Sequence, residues 1–295
     1  MRVLLIAYFY PPSPAVGGFR AEKVARALQR AGHAVRVITA RMPGEVGSIR
    51  VDEPGLVVQT VEPMTSPRWW LIGVKALLTG RPSVNGAGGS AAPSGEDANS
   101  EPPPGGVPRW KRWLSALLWL PDDKQGFIPP AVWAGLRRRS GRYDLLYTTV
   151  PPFSTHLAGL GLGLLTRRPW VAEFRDPWTD SHFRPAHQRS RWTSAIERWF
   201  ERRTLRRASL VVSVSEGIAA RLRTKLPEAE RSKCLVIHNG IDRLAPPRPP
   251  RVGRPFRIVH VGSFYHRRDP FPFLEGVAEL VRRSGLGPEA LSIVF

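Results

Sequence analysis

The opening stretch, Met1 to Thr39, restricts the fold more than any other part of the chain. Val3-Leu4-Leu5-Ile6-Ala7 is an apolar run of strand length, the pattern of a strand buried on both faces. A loop from Tyr8 to Val16 follows, passing through Tyr10-Pro11-Pro12 and leading into Gly17-Gly18. Ala21, Val24, Ala25 and Leu28 then recur at offsets of three and four, one face of a helix. Gly32 stands where a helix C-terminus wants a residue that tolerates positive φ. Ala34-Val35-Arg36-Val37-Ile38-Thr39 reads as a second strand. Strand, helix and strand in that order make a right-handed βαβ unit, with the helix N-terminus at the edge of a parallel sheet. Such a terminus presents free N–H groups and partial positive charge, so it suits a phosphate or another anion.

The alternation continues. Residues 56–61 read as a third strand, 129–139 as a helix, 143–149 as a strand ending at Pro151-Pro152, and 170–174 as another strand. Ser154 is placed to cap a helix reaching Leu165. Residues 192–205 predict a long helix with Ile196, Phe200 and Leu205 on one side and arginines on the other. A strand at 208–214, a helix over 216–225 capped by Ser215, and a strand at 234–238 complete the series, closed by Asn239-Gly240-Ile241-Asp242. The fold class is α/β: a Rossmann-like parallel sheet with flanking helices. Residues 246–255 are rich in Pro and Arg and read as a linker. The pattern then restarts with a strand at 257–261, a helix at 271–283 and a strand at 291–295. The expected organisation is a domain over 1–245, the linker, and the start of a second domain over 256–295. Within the first domain, residues 79–108 are Gly, Ser, Pro, Ala and Asn with three acidic residues, a composition that predicts a disordered insertion.

Charge narrows the partners. Lys and Arg number 44 against 24 Asp and Glu, a formal charge of +20, nearly all of it from Arg. A basic surface attracts nucleic acid, anionic lipid or phosphorylated substrates, and a GC-rich coding bias accounts for part of such an excess. Cys234 is the single cysteine, which excludes an internal disulfide and fits a reduced, cytoplasmic setting. The apolar start is too short for a signal peptide, and Pro11-Pro12 breaks it. Tryptophan marks two further segments. Trp69 and Trp70 open an apolar run that reaches Leu78, and Trp110, Trp113 and Trp119 lie in residues 110–120, ending at Leu120. Trp beside basic residues and a short apolar face is what an interfacial helix needs. These segments are therefore expected to touch an anionic membrane surface, at the inner face of the cell membrane; packing on the sheet as ordinary helices is the other reading. Asp122-Asp123 lacks spaced partners and does not read as a metal site, and no Cys/His cluster has zinc spacing.

Five stretches in order resemble family-four glycosyltransferases of the GT-B fold. They are Tyr10-Pro11-Pro12 with Gly17-Gly18-Phe19-Arg20 and the run Leu28 to Thr39; Pro151-Pro152-Phe153-Ser154 with Glu173-Phe174-Arg175-Asp176-Pro177-Trp178; Ser213-Val214-Ser215-Glu216; His238-Asn239-Gly240-Ile241-Asp242; and Val261-Gly262-Ser263 with Arg267-Arg268. The second of these is similar to bacterial members that build surface polysaccharides. The resemblance implies an acceptor domain followed by the start of a donor domain. It implies transfer of a sugar from a nucleotide-diphosphate donor to a lipid-linked or glycan acceptor, retaining and metal-independent. No cofactor is implied beyond the nucleotide sugar, and no specific nucleic acid. Cations and N–H groups must then meet the charge that builds on the diphosphate leaving group. The resemblance sets Gly17, Gly18, Ser263, Arg267 and Arg268 against the donor phosphates, Arg175 and Asp176 at the catalytic position, and Phe19, Arg20 and His156 on the acceptor side.

Two departures stand out. Ser263 occupies a position usually held by Arg, so Arg267 must compensate; and Arg175, with Asp176 beside it, stands where the family often has a His. An ion pair that pins the loop is an equal reading of Asp176, and capping or packing the commoner role for His156. No Glu-x7-Glu stretch, the family's grip on sugar and ribose, falls in the second domain before Phe295. The resemblance therefore implies further residues beyond it, and negligible transferase activity from these alone. Two other classes stay open. One is a basic, non-enzymatic binder of membrane or nucleic acid. The other is a nicotinamide-dependent oxidoreductase, which would want its glycines directly after the first strand and an acidic residue ending the second.

Overall fold

A computed structural model describes residues 1–42, 49–64, 120–137, 143–180, 191–241, 246, 255–262, 264 and 269–295. The expected insertion at 79–108, the Trp-rich segments apart from Leu120, nearly all of the linker, and Ser263, Arg267 and Arg268 lie outside the described residues. The chain parts between Asn239 and Gly240 into two compact units.

The first unit is built on an eight-stranded sheet. Its strands are β1 (Arg2–Ile6), β2 (Ala34–Ala40), β3 (Ile49–Glu53), β4 (Leu56–Val61), β5 (Leu145–Val150), β6 (Trp170–Phe174), β7 (Leu210–Ser213) and β8 (Cys234–Val236), in the order β3-β4-β2-β1-β5-β6-β7-β8. Every neighbouring pair is parallel except β3 with β4. That hairpin was not expected. It closes around Pro54-Gly55, where Gly55 has φ +84°, a conformation glycine adopts without Cβ strain.

Five helices flank the sheet: α1 (Val16–Arg30), α2 (Ile128–Leu136), α3 (Ser154–Thr166), α4 (Arg191–Arg207) and α5 (Glu216–Thr224). They cover the two faces unequally. α1 packs Ala21, Ala25, Val24 and Leu28 on Val3, Leu5, Val35, Val37 and Tyr147. The opposite face carries side chains of the other four helices on Leu4, Ile6, Leu146, Val150, Trp170 and Phe174. Burial on both faces is why the central strands read as continuous apolar runs rather than alternating ones.

Helix ends have local causes. α1 stops at Ala31-Gly32, with Gly32 at φ +82°. The Ser215 hydroxyl accepts from the Ile218 N–H at 3.4 Å, as expected of a cap. At α3 the expectation fails: Ser154 is the first helical residue and Phe153 holds the cap position without a side-chain bond. Asp122 caps this end instead, its carboxylate accepting from the Ser154 N–H at 2.9 Å and hydroxyl at 2.5 Å. The strand expected at 234–238 ends at Val236, because the next residues turn to meet Arg20 on α1, as described below.

The second unit has β9 (Phe256–Val259), α6 (Phe271–Ser284) and β10 (Leu291–Val294), the strands paired in parallel with Phe256 opposite Leu291. No helix among the described residues is long and apolar enough to cross a membrane.

Candidate functional site

The strand order reverses between β1 and β5, since the chain runs outward from β1 through β2 on one side and through β5 to β8 on the other. In an open α/β sheet the carboxyl ends of the strands at such a point leave a crevice that binds ligands. α1 begins at this crevice, and its cap residue, Ala15, provides no side-chain bond to the free N–H groups.

Strand β6 carries one charged residue in an otherwise apolar run. Glu173 is fully buried, and period two turns it to the α1 face with Val171. Arg20, on the second turn of α1, meets it: Nε donates to Oε1 at 2.9 Å and Nη2 lies 2.8 Å from the same oxygen. The same guanidinium reaches the chain leaving β8, donating to the carbonyls of Ile237 at 2.7 Å and His238 at 3.0 Å and to Asn239 Oδ1 at 3.0 Å. One side chain thereby joins α1, β6 and the end of β8. A buried carboxylate is tolerated only with such a partner.

Arg175, just past β6, closes the crevice from the other side. Nε donates to the Val150 carbonyl at 2.9 Å, Nη2 to Pro151 at 2.9 Å and Nη1 to Gly17 at 2.6 Å. Burial pulls its guanidinium below the ordinary value, and the charges of Glu173 and Asp176 oppose that shift. At Gly17 a Cβ would stand 3.1 Å from an Arg175 nitrogen, a close contact that the guanidinium would have to relieve. A Cβ on Gly18 would meet the Tyr10 backbone at 3.3 Å. In this structure, then, the glycine doublet lets other parts of the chain approach α1 closely. Asp176 is exposed beside Arg175, without a hydrogen bond or ion pair among the described residues, and Phe19 is half exposed on the first turn of α1. Tyr147, buried under this cluster, has its phenol pushed well above the ordinary value by burial and by the charge of Glu173.

His156 lies on the opposite face of the sheet. It is fully buried in the first turn of α3, its Nδ1 2.8 Å from the Thr148 hydroxyl, which also accepts from Trp170 Nε1 at 2.9 Å. The ring packs 4.5 Å from Phe174. Burial lowers its pKa to about 3, so at neutral pH the imidazole is uncharged. The structure thus brings Gly17, Gly18, Phe19, Arg20, Arg175 and Asp176 together and sets His156 behind the sheet.

Two residues of consequence were missed as site members. Glu173 had a signal, a carboxylate inside an apolar strand. Asp122 had none, because its partner Ser154 is 32 positions away. Among the described residues, no three of His, Cys, Asp and Glu converge as a metal site would require.

No curated protein matches the chain. Sucrose-phosphate synthase from Thermosynechococcus elongatus has a similar structure over 99% of this chain and 70% of its own, at 14% identity and a TM-score of 0.56. The catalytic domain of starch synthase IV from Arabidopsis thaliana, bound to ADP and acarbose, is similar over 100% of this chain and 68% of its own, at 14% identity and a TM-score of 0.51. At such identity the likeness speaks for the fold, the GT-B arrangement of glycosyltransferases. The sequence itself matches the glycosyl transferase 4-like domain over residues 17–240, a span that holds α1 from its second residue, the strands from β2 to β8 and the whole Arg20–Glu173–Arg175 cluster, and the chain belongs to that family.

Proposed function

We propose that this chain supplies the acceptor domain and the start of the donor domain of an enzyme that moves a sugar from a nucleotide-diphosphate donor to a lipid-linked or polysaccharide acceptor, with retention of configuration and without a metal ion. The observation that carries this reading is the pair of guanidinium groups, Arg20 and Arg175, bracketing the uncapped start of α1 at the switch point. The ADP in the starch synthase IV structure supports a nucleoside-diphosphate donor by likeness of fold. In the transfer, the bond from the anomeric carbon to the diphosphate breaks and an acceptor oxygen takes its place, its proton passing to the departing diphosphate. Charge develops on the diphosphate oxygens, where N–H groups and fixed cations stabilise it.

The roles divide accordingly. Arg175 has all three nitrogens engaged with carbonyls, so it fixes the position of Gly17 and biases the crevice toward an anion. Asp176, exposed and unpaired among the described residues, accepts a hydrogen bond from the acceptor hydroxyl. Phe19 and Arg20 form the acceptor side. His156 acts through Thr148 and Trp170, holding the ends of β5 and β6 in place. Ser263, Arg267 and Arg268, outside the described residues, are the family-like candidates for donor-phosphate contacts. A lipid-linked acceptor would be met at an anionic membrane surface on the cytoplasmic side, through residues 69–78 and 110–120. Unchanged liposome binding after Trp110, Trp113 and Trp119 are replaced by Ser would count against that contact.

Calorimetric titration with UDP-, ADP- and GDP-sugars tests the donor site. At least one should bind, and Gly17→Val should weaken it by roughly tenfold or more by forcing Arg175 away. Asp176→Asn should leave donor binding and the melting temperature unchanged while slowing any transfer about a hundredfold. Failure of every nucleotide sugar to bind, or wild-type affinity in Gly17→Val, would overturn the reading.

A further inference from the structure

We infer that the outward stripe of α4 (Arg191–Arg207) is a docking surface for the anionic headgroups of a membrane. The proposal shares its partner with the membrane contact suggested above but uses none of the same residues, so the two fail separately.

The helix sorts its charges by face. Thr193, Glu197, Glu201, Thr204 and Leu205 are buried, so both carboxylates of the helix are turned into the protein. There the Glu201 carboxylate takes the Lys225 ammonium at 2.8 Å and the Thr179 hydroxyl at 2.5 Å. The outward stripe follows the helical offsets of three and four through Ala195, Arg198, Trp199, Arg202, Arg203 and Arg206. These six residues line a groove of about 460 Å³. Among the described residues no carboxylate pairs with any of the four arginines. A stripe that merely kept the protein in solution would mix both signs, and this one does not.

The aromatic residues decide the partner. Trp192 is 72% exposed and Trp199 60%, a large apolar area left in water beside unneutralised cations. Arg binds phosphate through its planar fork, and Trp settles at the headgroup level of a bilayer. Apolar surface continues at the end of α3, where Leu164 and Leu165 are exposed, next to Gly163, whose carbonyl accepts from Arg207 of α4. Exposed leucines add to membrane affinity and nothing to a nucleic-acid contact, so the lipid surface is the occupant the chemistry favours.

The test is co-sedimentation of the full chain with phosphatidylcholine vesicles, with and without phosphatidylglycerol. Wild-type protein should bind the anionic vesicles, release with rising salt and leave the neutral ones. The quadruple variant Arg198→Gln, Arg202→Gln, Arg203→Gln and Arg206→Gln should lose roughly several hundredfold in partitioning, given about fivefold per cation at such a surface. The matching quadruple Lys variant keeps the charge and should retain binding, and Trp192→Ser with Trp199→Ser should weaken binding without removing its salt dependence. Wild-type partitioning in the Gln variant, or loss in the Lys variant as well, overturns the proposal. So does Arg-dependent binding to DNA or RNA without vesicle binding, or a dimer that the Gln set dissolves.

Discussion

Removing Arg20 should expose how much of the first unit depends on one buried ion pair. The side chain of Glu173 is 0% exposed and that of Arg20 13%, so solvent screens the pair little. In Arg20→Met the hydrophobic stem is kept and the guanidinium lost, leaving the Glu173 carboxylate in an apolar layer with Val171 and Val212. Breaking such a pair from one side costs about 3–5 kcal/mol. The bonds from Arg20 to Ile237, His238 and Asn239 add about 1 kcal/mol each at most, and less here because those acceptors are exposed. A total near 4 kcal/mol corresponds to a melting temperature roughly 10 °C lower for a unit of this size. Glu173→Gln alone should cost about 1–2 kcal/mol, since Arg20 keeps its carbonyl partners and some solvent. The double variant Arg20→Met with Glu173→Met should recover at least about 2 kcal/mol over Arg20→Met alone, a coupling measured by a double-mutant cycle of urea midpoints closed with the Glu173→Met single variant. A loss below about 1 kcal/mol in Arg20→Met, or additive effects in the double variant, would refute the assignment of this pair as the clamp between α1 and β6.

Four further outcomes follow from packing, capping and protonation. His156 binds its proton at about 3 when folded and near 6.5 when unfolded. The unfolded state therefore holds one more proton between those values, and stability drops by about 1.4 kcal/mol for each unit the pH is lowered. Urea midpoints should show roughly 2 kcal/mol lost between about pH 6.5 and 4.5, a slope that His156→Gln flattens; equal slopes would refute it. Gly159→Ala places a Cβ 2.6 Å from Thr148 Cγ2 and 2.8 Å from Trp170 Cζ2, and should cost about 1–3 kcal/mol. Gly276→Ala in α6 meets nothing within 4 Å and should stabilise the second unit by up to about 1 kcal/mol, read in its thermal melt. Asp122→Ala strips the N-terminus of α3 and should cost about 1–2 kcal/mol, with faster hydrogen exchange confined to that turn.

The order of strands and helices was legible because this sheet is buried on both faces. Continuous apolar runs such as Val3-Leu4-Leu5-Ile6 then contrast sharply with the period of three and four in α1. Helix ends set by local chemistry, Gly32 after α1 and Ser215 before α5, were legible too. β3 was overlooked although Ile49-Arg50-Val51-Asp52-Glu53 alternates as an edge strand should; its Pro54-Gly55 turn reads equally well as plain loop. The cap on α3 and the partner of Glu173 could not be read at all. Each lies far along the chain, 32 positions in one case and 153 in the other, and local pattern carries no information about which distant residue arrives.

Arginine shows the same limit in a form that bears on function. Composition reports an excess of cations and is silent on where each is spent. Arg20 and Arg175 sit at the crevice proposed to hold the donor's anion, yet their nitrogens are engaged with Glu173 and with backbone carbonyls. Their charge shapes a site whose geometry they also hold together, so substituting them confounds binding with folding. The arginines of the α4 stripe have no such internal duty, and the phase of the helix alone told them apart: Phe200 and Leu205 inward, Arg198, Arg202, Arg203 and Arg206 outward. Substitutions on α4 therefore read recognition directly. Those around Arg175 need Asp176→Asn as their companion, because Asp176 is the charged residue of that cluster which holds nothing in place among the described residues.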